Sequence, residues 1–419
     1  MTKLVRTARD SVVVFPASRR PTRTSANTKP LLLCFSHLRW DFVWQRPQHL
    51  LSRAARRYAV VVFEEPIFDA AEPRLDVSER PGGIVVAVPH LPQGLAERGV
   101  TTALRNLLDG FLSGRSAPAV LWYYSPMMLS FSSHVRAPVR IYDCMDELSA
   151  FKNAPRMLPS LERRLFARAD LVFTGGRSLY EAKKGRHHSV HAFPSSIDVG
   201  HFASARSGDR NEPADQAGIP GPRFGFFGVI DERMDIDLVG QVAALRPQWQ
   251  FVMLGPVVKI DPASLPRAAN IHWLGGKAYK DLPDYLGGWD AGFMPFAINE
   301  ATRYISPTKT PEFLAAGVPV VSTPVTDVVT PWGDDGLVSI AADAASAVAA
   351  GEALLKRARE PWLEKVDRRL ATMSWDRTWA DMTRLIDAVS AAKARFEQRS
   401  GTALQAVAGG TIAEGAAHV

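Results

Sequence analysis

Short apolar runs of strand length alternate with segments of helical spacing, and the series runs twice along the chain. LLLCFS at 31–36 leads to RPQHLLSRAARR, then to AVVVFEEP and GIVVAVP. TTALRNLLDGFLSG, AVLWYYSP, VRIYDCMD, SLERRLFARA, DLVFTGG, SLYEAKKGR and VHAFPSS complete the first series. A polar stretch, SGDRNEPADQAGIPGP, interrupts the pattern. It restarts with RFGFFGVI and continues through QFVMLGP, NIHWLG, DAGFMPF and VPVVSTP. Continuously apolar strands separated by helices form parallel sheets covered on both faces. The expected fold class is α/β, with two doubly wound, Rossmann-like domains facing across a cleft. Ligands of such sheets bind at the carboxyl ends of the strands.

The expected organisation follows from these breaks. Residues 1–30 read as a disordered basic tail and 31–205 as an N-terminal Rossmann-like domain. Residues 206–222 read as a linker and 223–372 as a C-terminal Rossmann-like domain. Residues 373–398 read as a helix crossing back to the first domain, and 399–419 as a disordered tail. Of the 419 residues, 46% are hydrophobic and 22% charged, ordinary for a globular chain. No apolar run reaches the ~18–20 residues of a membrane helix. The short SVVVF after Lys3, Arg6 and Arg9 is too brief for a secretory core, so a cytoplasmic protein is expected. Cys34 and Cys144, the two cysteines, exclude a disulfide framework or a Cys-rich zinc site and read as buried thiols. A net charge of +7 suits anionic lipid, phosphate-bearing substrates or nucleic acid alike. No finger or aromatic RNA-binding strand accompanies it, so nucleic acid is not expected.

Five segments carry candidate chemistry. In GFFGVIDERMD a strand ends at Gly228 and Val229, where backbone amides can meet an anion. Arg233 in that turn either forks onto a phosphate or is a plain surface arginine. FVMLGPV ends on Gly255, a weaker signal followed by Lys259. SPTKTPEFLAAG presents Ser306, Thr308, Lys309, Thr310 and Glu312 at a helix start. There Thr310 is a candidate N-cap and Pro311 lies in the first turn. Lys309 favours a diphosphate. Glu312, an acceptor-only group, suits a vicinal diol, or else complements the helix dipole. In YDCMDELSAF, Asp143 and Asp146 can orient or deprotonate a sugar hydroxyl, and Asp146 fits an N-cap equally well. The loop CFSHLRWDFVWQRPQHL offers His37, Trp40, Trp44 and Arg46 on the acceptor side. The tryptophans either stack on a sugar or pack as one helical face.

Together these segments resemble the GT-B glycosyltransferases, over about Leu31 to Gln398. The chain is most similar to the retaining glycosyltransferase family 4 and the bacterial polysaccharide (group 1) enzymes near it. SPTKTPEFLAAGVPVVST resembles the family helix ending E-x-x-A-x-G-x-P-V-V, which implies that Glu312 binds the donor ribose. FPSSIDVGHF resembles the interdomain crossing N-G-V-D-x-x-x-F, keeping Asp198 and Phe202 but with Ser195 and Ser196 replacing asparagine and glycine. FFGVIDERMD resembles the glycine-rich turn with a diphosphate-binding arginine, which implies that role for Arg233. Two positions depart from the family: its second glutamate is Ile305 here, and a usual lysine is Leu238. The resemblance implies transfer of a sugar from a UDP- or GDP-linked donor to a saccharide or lipid-linked acceptor, with 31–205 as the acceptor-side domain and 223–372 as the nucleotide-sugar-binding domain. It implies retention of configuration, and a final helix bearing Trp375 and Trp379 packed on the first domain. No separate cofactor and no metal are expected, since the cations Arg233 and Lys309 can neutralise the leaving diphosphate. With the basic tail, a peripheral position at the anionic inner membrane face is expected. A nucleotide-sugar 2-epimerase shares the architecture, as does a non-catalytic relative that only binds nucleotide.

Overall fold

A computed structural model of the chain describes residues 29–208 and 211–409, the side chains up to residue 400. The readings of residues 1–28 and 410–419 as tails lie outside it.

The first half forms an eight-stranded sheet from β1 (Leu31–Ser36), β2 (Ala59–Glu64), β3 (Arg74–Arg80), β4 (Ile84–His90), β5 (Val120–Tyr123), β6 (Val139–Cys144), β7 (Leu171–Thr174) and β8 (Val190–Ala192). Their order is β3-β4-β2-β1-β5-β6-β7-β8, parallel except for β3, which pairs antiparallel with β4. β3 was not expected: its sequence, RLDVSER, is polar because it is an edge strand with no fully buried residue. The second half forms a six-stranded, all-parallel sheet from β9 (Arg223–Phe227), β10 (Gln250–Leu254), β11 (Ile271–Gly275), β12 (Ala291–Met294), β13 (Val320–Ser322) and β14 (Val338–Ile340), in the order β11-β10-β9-β12-β13-β14. In each sheet the order reverses beside the first strand, so the crevices of both sheets open at the ends of β1 and β9.

Each sheet is buried on both faces by its own pair of apolar clusters. The long helix Trp375–Gly409 returns to the first half, where Trp375, Trp379, Met382 and Ile386 enter the cluster built on β1 and β5. It continues beyond 398 to Gly409, so residues 399–409, expected as tail, are helical. The polar stretch 206–222 is not a free linker where it is described. It contains the helix Ala214–Ala217, whose fully buried Gln216 donates to Tyr285 O at 3.0 Å and accepts from Trp289 Nε1 at 2.8 Å. A buried glutamine with its amide satisfied looks like linker polarity in sequence. Among the described residues no helix is long and apolar enough to cross a membrane.

Candidate functional site

The ends of β9 and β10 set the floor of the site. Gly228 has φ +127° and Gly255 φ +151°, conformations that side chains rarely adopt. A Cβ on Gly255 would sit 1.8 Å from Gly228 O, and one on Gly228 would sit 2.2 Å from Lys309 Cε. The glycines therefore let two strand ends touch and leave room for a lysine. They do not aim amides at a ligand, as expected from sequence: Gly228 N–H donates to Leu254 O at 2.9 Å and Gly255 N–H to Gly275 O at 2.8 Å. Among the described residues no acceptor meets the N–H of the intervening Val229.

Arg233 closes the turn after β9. Its Nε and Nη2 donate to the buried Asp231 carboxylate at 2.9 and 2.7 Å, which holds the guanidinium in place. The turn ends at Asp235, whose side chain accepts from Leu238 N–H at 2.8 Å and caps the helix Ile236–Leu245. Leu238 itself is buried, so no charge reaches the site from that position.

The helix Lys309–Ala315 starts earlier than expected, with Thr308 at the cap position. Thr310 is consequently not the cap; it is fully buried, its hydroxyl against Met294 Sδ. The shift puts Lys309 and Glu312 one turn apart on one face. The Lys309 ammonium lies 5.5 Å from the Phe226 ring centre and 6.0 Å from that of Phe296. Burial, with Arg233 nearby, pushes the Lys309 ammonium down; burial pushes the Glu312 carboxyl up. The two influence each other electrostatically, yet among the described residues neither group has a hydrogen bond or an ion pair within 4 Å. Ile305 is buried in the apolar cluster below and offers the cleft no carboxylate.

Ser306 faces elsewhere. Its carbonyl accepts from Ser195 Oγ at 3.2 Å, and it lines a cavity of about 430 Å³ between the halves. That cavity's walls include Arg177, Asp327 and Arg377, but not Arg233, Lys309 or Glu312. Asp327 braces the halves there, accepting from the N–H groups of Arg177 and Ser178, both at 2.9 Å.

On the opposite wall the structure separates the sequence candidates. Asp143 is fully buried, and Arg46, 1% exposed, forks onto it at 2.9 and 3.1 Å while donating to Phe193 O at 2.7 Å. Asp143 therefore is not available as a base, nor Arg46 as an acceptor contact; together they tie the first helix to β6 and the crossing segment. Trp40 is also corrected: it packs in the core, its N–H on Glu64 at 2.7 Å. Trp44 stays 41% exposed, and its ring lies 5.9 Å from that of Tyr279 in the other half. Asp146 is the carboxyl group of this segment that lies near Arg233 of the other half. It does not cap the next helical turn, and burial raises it against the pull of Arg233 across the cleft. His37 also faces the cleft; burial, with Lys259 nearby, lowers it to about 4.

Four residues here were not among the sequence candidates. Phe151 lies between the Arg233 guanidinium at 5.7 Å and the Lys259 ammonium at 5.2 Å. Glu232 sits 4.0 Å from Lys259. Tyr279 stacks on His201 at 4.4 Å, its hydroxyl buried without a partner and its ionisation raised by burial and by Glu312. Only Lys259 carried a sequence signal, its place just after a strand-end glycine.

Two facing parallel α/β sheets, with charged groups collected at the strand ends between them, define the GT-B class. Solved structures agree on the fold. Sucrose-phosphate synthase from Thermosynechococcus elongatus superposes with a TM-score of 0.65 at 13% identity, over 87% of this chain and 100% of that one. A trehalose-6-phosphate protein from E. coli, bound with UDP-2-fluoro glucose, gives 0.63 at 12% identity, over 85% and 99%. WaaG, a glycosyltransferase involved in lipopolysaccharide biosynthesis, gives 0.59 at 14% identity, over 85% and 99%. Residues 221–357 match the family described as Glycosyl transferases group 1. A putative teichuronic acid biosynthesis glycosyltransferase, TuaH of Bacillus subtilis (strain 168), is 31% identical over 242 residues, 52% of this chain. That alignment spans 59% of the relative's length.

Proposed function

We propose that the protein is a glycosyltransferase that moves a sugar from a nucleoside-diphosphate sugar, UDP- or GDP-linked, to a saccharide or lipid-linked acceptor in cell-envelope or exopolysaccharide synthesis. The observation that carries this is the Lys309–Glu312 face: a half-buried ammonium beside Phe226 and Phe296 and a buried carboxyl group, neither with a hydrogen bond or ion pair among the described residues, next to a guanidinium fixed by Asp231. Such groups are costly unless a ligand satisfies them. A nucleoside diphosphate offers anionic oxygens to Lys309 and Arg233 and ribose hydroxyls to Glu312.

As the anomeric carbon–oxygen bond breaks, its electron pair leaves on the diphosphate, where Arg233 and Lys309 meet the charge. Stabilisation of developing charge by fixed groups is usually a major part of catalysis. The acceptor hydroxyl oxygen forms the new bond and gives up its proton to the departing diphosphate oxygen. Asp146, facing Arg233 across the cleft, is assigned to orient that hydroxyl. Retention of configuration and a metal-independent reaction are assigned on the resemblance and on these two cations. An acceptor on the inner membrane face fits the basic composition, and the TuaH relative supports an envelope polymer as the product.

Incubation with UDP- and GDP-sugars, with and without extracted envelope lipids or saccharides, tests the reading. Acceptor-dependent release of UDP or GDP supports it. Conversion to an isomeric nucleotide sugar without acceptor marks an epimerase instead.

A further inference from the structure

The cleft groups form a chain of neighbours. Tyr279 and Glu312 stand at one end, then Lys309, then Arg233 held by Asp231. Phe151 and Lys259 follow, with Glu232 and His37 next to Lys259. A nucleoside-diphosphate sugar has the same sequence of parts: ribose, diphosphate, sugar ring. The function proposed above uses the first two stretches and leaves the third without a ligand.

That third stretch carries unmet polar groups. Both Glu232 carboxylate oxygens are buried with no hydrogen-bond partner, and so is His37 Nδ1. Leaving one such group unpaired costs about 1–3 kcal/mol, and more when it is charged. Lys259 is held at φ +61°, a left-handed conformation that is uncommon for lysine. Its side chain is 57% exposed above a Glu232 that is only 14% exposed, so solvent reaches the lysine while the carboxylate lies beneath it. The cation of this stretch, Lys259, already lies 4.0 Å from the Glu232 carboxylate, which leaves little net positive charge for a phosphate. Among the described residues no group of three or more His, Cys, Asp or Glu can hold a metal ion. Sugar hydroxyls fit, because each both donates and accepts: Glu232 accepts, Lys259 donates, and the neutral imidazole of His37 can do either.

We propose that Glu232 and Lys259 form the subsite that holds the hydroxyls of the transferred sugar ring, between Phe151 and the turn after β9. This rests on the nucleotide-sugar reading. It assigns sugar recognition to two loops, after β9 and after β10, that meet the first half at the cleft.

Calorimetric titration with UDP, UDP-glucose, GDP and GDP-mannose separates the two claims. For the nucleotide that wild type binds, Glu232→Gln and Lys259→Ala should leave affinity for the bare diphosphate within about two-fold. Each should weaken the matching nucleotide sugar by about ten-fold, the scale of losing a hydrogen bond to a charged group. Equal weakening of diphosphate and sugar-diphosphate overturns the assignment, as does no change in either; both leave the nucleotide reading standing. Wild type that binds none of the four overturns both.

Discussion

Each half of the molecule brings a cation and a carboxylate close together, both fully buried in the first half and with a half-buried lysine in the second, and the two pairs are built differently. In the first half, Arg46 forks onto Asp143 at 2.9 Å, and its remaining nitrogen reaches Phe193 O. Every strong polar demand of that guanidinium is met inside the protein. In the second half, Lys309 and Glu312 are as close in sequence as one helical turn allows, yet no ion pair closes between them. A buried charge pair that satisfies itself is part of the scaffold. A pair left unsatisfied at the strand ends is a place for a ligand.

The largest effect should come from breaking the first pair. Asp143→Ala leaves a buried guanidinium unpaired and should lower unfolding free energy by about 3–5 kcal/mol, measured by denaturant titration. Any folded fraction should bind nucleotide as wild type does. Lys309→Ala should do the reverse. It should weaken UDP or GDP binding by about 1.5–3 kcal/mol while leaving unfolding free energy unchanged or raised, because a partly desolvated charge is removed. If both variants lose stability and neither loses affinity, the contrast fails.

Asp327→Ala removes the carboxylate that caps the helix Arg177–Lys183 from the other half. About 0.5–2 kcal/mol of stability should go with it, and proteolysis between the halves should quicken. The effect that is smallest at neutral pH, and grows in acid, concerns a histidine. His49 lies flat on Trp375 at 4.7 Å, and burial, with Arg53 next, lowers it to about 3. Its ordinary value is near 6.5, so the neutral ring contributes its full stability above that pH and loses it progressively as pH falls toward 3. His49→Phe keeps the stack and should flatten the fall in melting temperature between pH 6.5 and about 4. His37, lowered to about 4 in the same direction, keeps part of the slope. An unchanged slope would place acid sensitivity elsewhere.

The same contrast explains what could be read from sequence. The alternation of apolar runs located the parallel strands, because strands buried on both faces must be apolar throughout. Lys309 and Glu312 were legible because polar residues at a strand-to-helix junction stand out against LAAGVPVV. Asp143 was misread for the same reason: it also follows a strand. Its partner is 97 residues earlier in the chain, and no local pattern shows that an arginine will reach it. Gly228 was read as an amide donor, yet its value is the space it leaves for a side chain 81 residues later. Lys259 and Glu232 were invisible as a pair, since their meeting depends on a left-handed backbone at residue 259 and on how two loops face the other half.

Calorimetric titration of UDP and GDP into wild type, Glu312→Ala and Asp143→Asn tests the central claim most directly. Wild type and Asp143→Asn should bind one of the nucleotides with similar affinity, and Glu312→Ala should bind it about ten-fold or more weakly, the scale of losing hydrogen bonds to a charged group. Equal binding by wild type and Glu312→Ala, or loss confined to Asp143→Asn, would contradict it.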